Sequence, residues 1–162
     1  MPLPTLIFLI ILAVLIVYLA VWLFCIRPRS GLDASNMESL KKYDYAHRGF
    51  YEKNQSIPEN SLPAFQRAVS KGFGVELDLQ LTADGQVVVF HDDNLKRMCG
   101  QDADVRSLTW EELQKYSLAE SGEKIPLFSQ VLKLINGRIP MIIELKPYGN
   151  TDELCAKTCE LL

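Results

Sequence analysis

LPTLIFLIILAVLIVYLAVWLFCI, residues 3–26, carries no charged side chain. A helix apolar on every side has no water-facing stripe, and core helices are usually amphipathic and shorter. As a helix this run is about 36 Å long at ~1.5 Å per residue, enough to cross a hydrocarbon layer of about 30 Å with some tilt. It raises the hydrophobic share of the 162-residue chain to 48%, high for a water-soluble protein. No Lys or Arg precedes it, and it exceeds the roughly 7–15 apolar residues of a cleavable secretory signal. Phe24 stands where a lipoprotein site at Cys25 requires a small residue. The run reads as an uncleaved, single-span transmembrane anchor over 1–26. Arg27 and Arg29 follow it directly, with Lys41 and Lys42 further on. The positive-inside rule then places the C-terminal domain on the cytoplasmic side of the membrane.

Residues 27–42, RPRSGLDASNMESLKK, are polar and contain Pro, Gly and Ser, the composition of a linker. The folded domain is expected over 43–162. Its charge argues against one class of partner, because a net charge of −3 leaves no basic footprint for nucleic acid. The four cysteines make no framework: Cys25 is in the apolar run, Cys99 in a polar loop, and Cys155 and Cys159 are four apart on an expected helix. They read as free thiols of a reducing compartment.

The folded part alternates strand and helix. YDYAH (43–47) reads as a short strand. Asn60 or Ser61 can cap a helix with Pro63 in its first turn and Phe65, Ala68 and Val69 on one face. GVELDLQL (74–81) alternates strictly, TADG (82–85) is a turn, and QVVVFH (86–91) is continuous enough for a strand covered on both faces. TWEE (109–112) is a capping box. PLFSQVLKLI (126–135) is amphipathic with Asn136-Gly137 as C-cap, PMIIELK (140–146) is a strand, and 151–162 is a helix capped by Thr151 or Asp152. This alternation predicts an α/β fold with a mainly parallel sheet, either doubly wound or a (β/α)8 barrel.

Chemistry gathers at the strands. His47-Arg48 ends the first and His91-Asp92 the third. Glu76 and Asp78 share one side of the second, and Glu144 and Lys146 share one side of the fourth. Each has an ordinary structural explanation alone; four strands ending in acid, base or cation do not arise readily by chance. Glu76, Asp78 and Glu144 are hard oxygen donors suited to Ca²⁺ or Mg²⁺. His47 and His91, the two histidines of the chain, suit a general acid and base. Arg48 and Lys146 supply positive charge for phosphate oxygens. Together these point to phosphodiester cleavage.

The ordered blocks AHRGF, IPENSLPAF, GVELDLQLTADGQVVVFHDDNLKR, IPLFSQVL and MIIELK, over roughly residues 43–147, closely resemble the glycerophosphodiester phosphodiesterase family. The resemblance implies a TIM (β/α)8 barrel hydrolysing glycerophosphodiesters to glycerol 3-phosphate and an alcohol. It implies that His47 and His91 are the acid–base pair, that Glu76, Asp78 and Glu144 hold the metal, and that Arg48 and Lys146 bind phosphate. Glu59 and Asn60 match the family's P-E-N loop and join the phosphate-binding set. Leu127 departs from the pattern, standing where the family often places a capping Thr. A sphingomyelinase D-type barrel fits less well, because those enzymes carry Asp at the place of Glu144 and lack the P-E-N loop.

Length sets a further expectation. A complete barrel takes about 250 residues, and the chain ends in a helix after its fourth or fifth strand. Half a barrel exposes two sheet edges and an apolar inner face. The chain is therefore expected to hold the first half of a catalytic domain. A phosphate-headgroup-binding fragment without turnover is the alternative.

Overall fold

A computed structural model describes residues 2–26 and 34–162, the side chains of 34–36 excepted. Two compact units divide at Glu38 and Ser39. In the first, α1 (Leu3–Val21) continues as a π-helical stretch, Trp22–Ile26. Pro4 lies in its first turn, where a missing N–H breaks no intrahelical bond. No residue of it is buried by protein, and among the described residues it is the one helix long and apolar enough to cross a membrane. Arg27 and Arg29, on which the orientation rests, lie outside the described residues. Within the expected linker, α2 (Ala34–Leu40) forms a short helix.

The second unit is built around one long strand. β1 (Tyr45–Ala46) leads through a turn and the P-E-N loop to α3 (Leu62–Lys71). Ser61 is the cap: its Oγ accepts the Ala64 amide, and Pro63 sits in the first turn. β2 (Gly74–Leu81) spans the predicted residues. β3 (Val87–Val89) follows, then α4 (Lys96–Cys99) and α5 (Trp110–Leu113), whose Thr109–Glu112 capping box forms as expected. Cys99 therefore ends a helix rather than sitting in a loop. α6 (Phe128–Ile135) closes at Asn136 in the left-handed region. Leu127 offers no acceptor, but the Gln130 side chain accepts the Leu127 amide and stabilises that end. β4 (Met141–Leu145) and α7 (Thr151–Leu161) complete the unit. The cap of α7 is Asn150, not Thr151 or Asp152, because its Oδ1 accepts the Glu153 amide.

β1 and β4 run parallel to β2, as the alternation predicts. Val75 lies between Ala46 and Met141, and Leu79 between Val89 and Leu145, so β1 and β3 share one edge of β2 and β4 takes the other. β3 is the exception and runs antiparallel to β2. A tight turn from Thr82 to Gln86, with Gly85 at φ +72°, is too short for the crossover that a parallel pair needs. Coverage on both faces holds. Val87 and Val89 join a core of Phe65, Leu77, Leu79, Phe128 and Val131, while Val88 joins a second core with Phe90, Leu95, Val105 and Leu113.

Gly49 fixes how closely the first turn approaches α3. Its φ is +79°, and an added Cβ would lie 2.9 Å from Ala64 Cβ and 3.0 Å from the Ala64 carbonyl carbon. Left-handed strain costs ~1–2 kcal/mol and overpacking about 1–3 kcal/mol. Gly49→Ala is expected to lower stability by at least ~2 kcal/mol in chemical denaturation; a loss below about 0.5 kcal/mol would contradict this packing.

Candidate active site

The register explains why the polar residues meet. Asp78 pairs directly with Glu144 across β2 and β4, and Glu76 lies two residues earlier on the same face of β2. One carboxylate oxygen from each of the three lies within 4.8 Å of the others. Ala46 is level with Val75, so His47 emerges beside Glu76, its Nε2 3.9 Å from Glu76 Oε2. The Phe90 amide donates to the Asp78 carbonyl, which brings His91 back along β2 to the same level. The cluster thus lies across the middle of β2, not at its C-terminal end. β1, β4 and the returning β3 all stop there.

Asp78 is fully buried. Its Oδ2 accepts from Asn60 Nδ2 at 2.8 Å and faces Arg48 Nε at 3.5 Å. Its Oδ1 is 3.0 Å from Lys146 Nζ but has no aligned hydrogen bond, and Arg48 Nε and Asn60 Oδ1 are likewise buried without one. Lys146 Nζ also donates to Glu144 Oε1 at 2.6 Å. Burial alone would lower the Lys146 pKa, but these two carboxylates outweigh it and the net shift is upward. Glu76 accepts the Arg48 backbone amide at 3.0 Å, holding the His47–Arg48 turn. Arg48 and Asn60 both adopt positive φ, 56° and 54°, and the Asn60 amide donates to the Arg48 carbonyl. Backbone strain of this kind collects where side chains must be aimed.

The donor set fits a hard divalent cation. All three groups offer carboxylate oxygen, the buried Asp78 Oδ1 lacks a directed partner, and three acidic groups face two cations, Arg48 and Lys146.

Glu59 and Asn60, assigned to phosphate from the resemblance, meet protein partners. Glu59 accepts from Arg48 Nη1 at 2.8 Å and from Arg97. Burial pushes its pKa up, but hydrogen bonds from Arg97 and Arg48 outweigh this and hold it below its ordinary 4.5. Two residues escaped the sequence reading. Gln80, buried, donates from Nε2 to the carbonyls of Phe90 and Asp92, fastening the backbone on both sides of His91. A third polar residue in the i, i+2 series after Glu76 and Asp78 was the available clue. Arg97 binds Asp92 and Glu59 together, and nothing in local spacing signals that.

A mixed sheet in which β1 and β4, parallel to β2, bring His47, Arg48, Glu144 and Lys146 to the carboxylates of β2 defines a class of α/β domain. Within it, the chain belongs to the glycerophosphoryl diester phosphodiesterase family, whose model matches residues 47–160. It is 42% identical over 111 residues to a putative glycerophosphodiester phosphodiesterase of Bacillus subtilis, covering 64% of this chain and 44% of that protein. It is 34% identical over 130 residues to a human lysophospholipase D, covering 72% of this chain and 40% of the relative. The structure of an Oleispira antarctica phosphodiesterase in complex with sn-glycerol 3-phosphate superposes with a TM-score of 0.66 at 30% identity, covering 74% of this chain and 51% of that one. The chain thus spans about half the length of the relatives it matches. The family resemblance and the mixed α/β fold with parallel strands hold, and the neighbours are TIM-barrel proteins.

Proposed function

We propose that this chain contributes the catalytic centre of a membrane-anchored enzyme that hydrolyses glycerophosphodiesters to glycerol 3-phosphate and an alcohol. One observation carries this: three carboxylates converge within 4.8 Å, beside His47, on the segment that matches the family. Glu76, Asp78 and Glu144 would hold Ca²⁺ or Mg²⁺, which supplies charge stabilisation at the phosphoryl oxygens. Arg48 and Lys146 bind the phosphate, and Glu59 and Asn60 set that site by holding Arg48 and Asp78. His47 and His91 form the acid–base pair. A carboxylate only accepts, so Asp92 Oδ1 at 2.6 Å fixes the proton of His91 on Nδ1 and leaves Nε2 to exchange protons. One histidine takes the proton of the attacking water, the phosphorus–oxygen bond to the alcohol breaks, and the other protonates the departing oxygen.

The proposed layout is an anchor over 1–26, a linker over 27–42 and the catalytic region from 43, facing the cytoplasm. A second reading, a lysophospholipid carrying the same diester, is favoured by the apolar helix Leu3–Ile26 and by the lysophospholipase D relative. The test is turnover by the intact protein in detergent with Ca²⁺ or Mg²⁺. Glycerophosphocholine is expected to be cleaved, and chelation to abolish the activity. Cleavage of lysophosphatidylcholine alone would select the second reading, and turnover unaffected by chelation would remove the metal role.

A further inference from the structure

We propose that Arg97 is a positioning residue that holds His91 in its working orientation through Asp92, using Glu59 as its anchor. This rests on the acid–base role given to His91 above. Arg97 Nε and Nη2 donate to Asp92 Oδ2 and Oδ1 at 2.7 and 3.1 Å. Its Nη2 and Nη1 donate to Glu59 Oε1 and Oε2 at 2.7 and 3.1 Å. One planar guanidinium therefore grips two carboxylates from two chain segments, each through a pair of hydrogen bonds, which a lysine ammonium with three donors cannot do. Asp92 Oδ1 in turn accepts the His91 Nδ1 proton at 2.6 Å.

The pattern separates the two ends of this chain of contacts. Arg48 has Asp78 and Glu59 as partners without Arg97. Among the described residues, Asp92 pairs with His91 and with Arg97 and with no other cation. Glu59 has a side chain only 7% exposed, so the inner side of the grip is fixed in the protein while Arg97 reaches from α4. An isolated surface ion pair contributes little, but a bidentate grip with low-exposure acceptors sets geometry. Removing Arg97 frees the Asp92 carboxylate to rotate and releases the imidazole it orients.

The experiment uses the intact protein in detergent, with glycerophosphocholine kinetics and ¹⁵N NMR of the His91 ring, identified by its loss in His91→Ala. Arg97→Ala is expected to lower kcat by roughly 10–100-fold, the range for outer partners of site residues, with KM within about threefold. The His91 ring nitrogens should shift toward a mixture of tautomers. Arg97→Lys should recover little, and added guanidinium should restore part of kcat in Arg97→Ala. A kcat within threefold of wild type, or a loss of kcat with unchanged His91 nitrogen signals, would overturn the proposal. Should Arg97→Ala not fold, Asp92→Asn reads the same link by the same two measurements. Should the wild type not turn over the diester, the reaction assigned above falls, and the His91 signals in Arg97→Ala alone decide the positioning role.

Discussion

Asp78→Asn should weaken cation binding at the triad and weaken the fold at the same time. Asp78 is fully buried and faces Arg48 Nε at 3.5 Å and Lys146 Nζ at 3.0 Å. Asparagine keeps the size, and its carbonyl can still accept from Asn60, but the charge is gone. Breaking a buried ion pair typically costs ~3–5 kcal/mol. The loss here should fall at the lower end, because Lys146 retains Glu144 and Arg48 retains Glu59. Denaturant unfolding should show it, and a calorimetric Ca²⁺ or Mg²⁺ titration should show at least a tenfold weaker site, since even outer partners of metal ligands contribute about 10–100-fold. An Asp78→Asn variant that binds the cation as tightly as wild type would remove Asp78 from the ligand set.

The second large effect belongs to the histidines. General acid–base groups typically contribute about 10²–10⁴-fold, and His47→Ala and His91→Ala are each expected to lower kcat by that order. Stability should respond differently at the two positions. The His47 side chain is 64% exposed and approaches Glu76 only to 3.9 Å, so its removal should change stability by less than about 0.5 kcal/mol. His91 is 29% exposed and bonded to Asp92, so its removal also leaves that carboxylate with Arg97 alone. Turnover undiminished in both variants would sink the assignment of the pair.

Much of this site was legible because local rules and tertiary contacts agree in it. Strict alternation over GVELDLQL gave β2 its full extent and put Glu76 and Asp78 on one face, which the pairing with β4 preserves. Ser61 with Pro63 and the Thr109–Glu112 box opened their helices as read, because capping is a contact over three residues. The direction of β3 was legible in the turn before it and not in the strand itself. An apolar run looks the same parallel or antiparallel, and the deciding quantity was the length of the TADG turn, which is too short for a crossover. Arg97 was invisible for a different reason: its anchor Glu59 comes from a separate segment, so no local spacing records the meeting of Glu59, Arg97 and Asp92. Gln80 lay within reach of the alternation, which had already picked out its two neighbours.

The antiparallel hairpin also orders the assembly of the centre in time. Asp78 and the strand leading to His91 are joined by a local turn, so their contacts close a short loop. Glu144 arrives from a distant part of the chain, and its parallel pairing with Asp78 closes a much longer one. Loop-closure entropy grows with loop length, and non-local pairing is the slower step of folding. The His91 side of the proposed centre can therefore form early, during synthesis, as a local hairpin. The carboxylate triad proposed to hold the cation becomes complete only when β4 docks. A nascent chain halted before β4 would carry both imidazoles and two acidic groups of the triad, yet lack the third donor that closes the cation site.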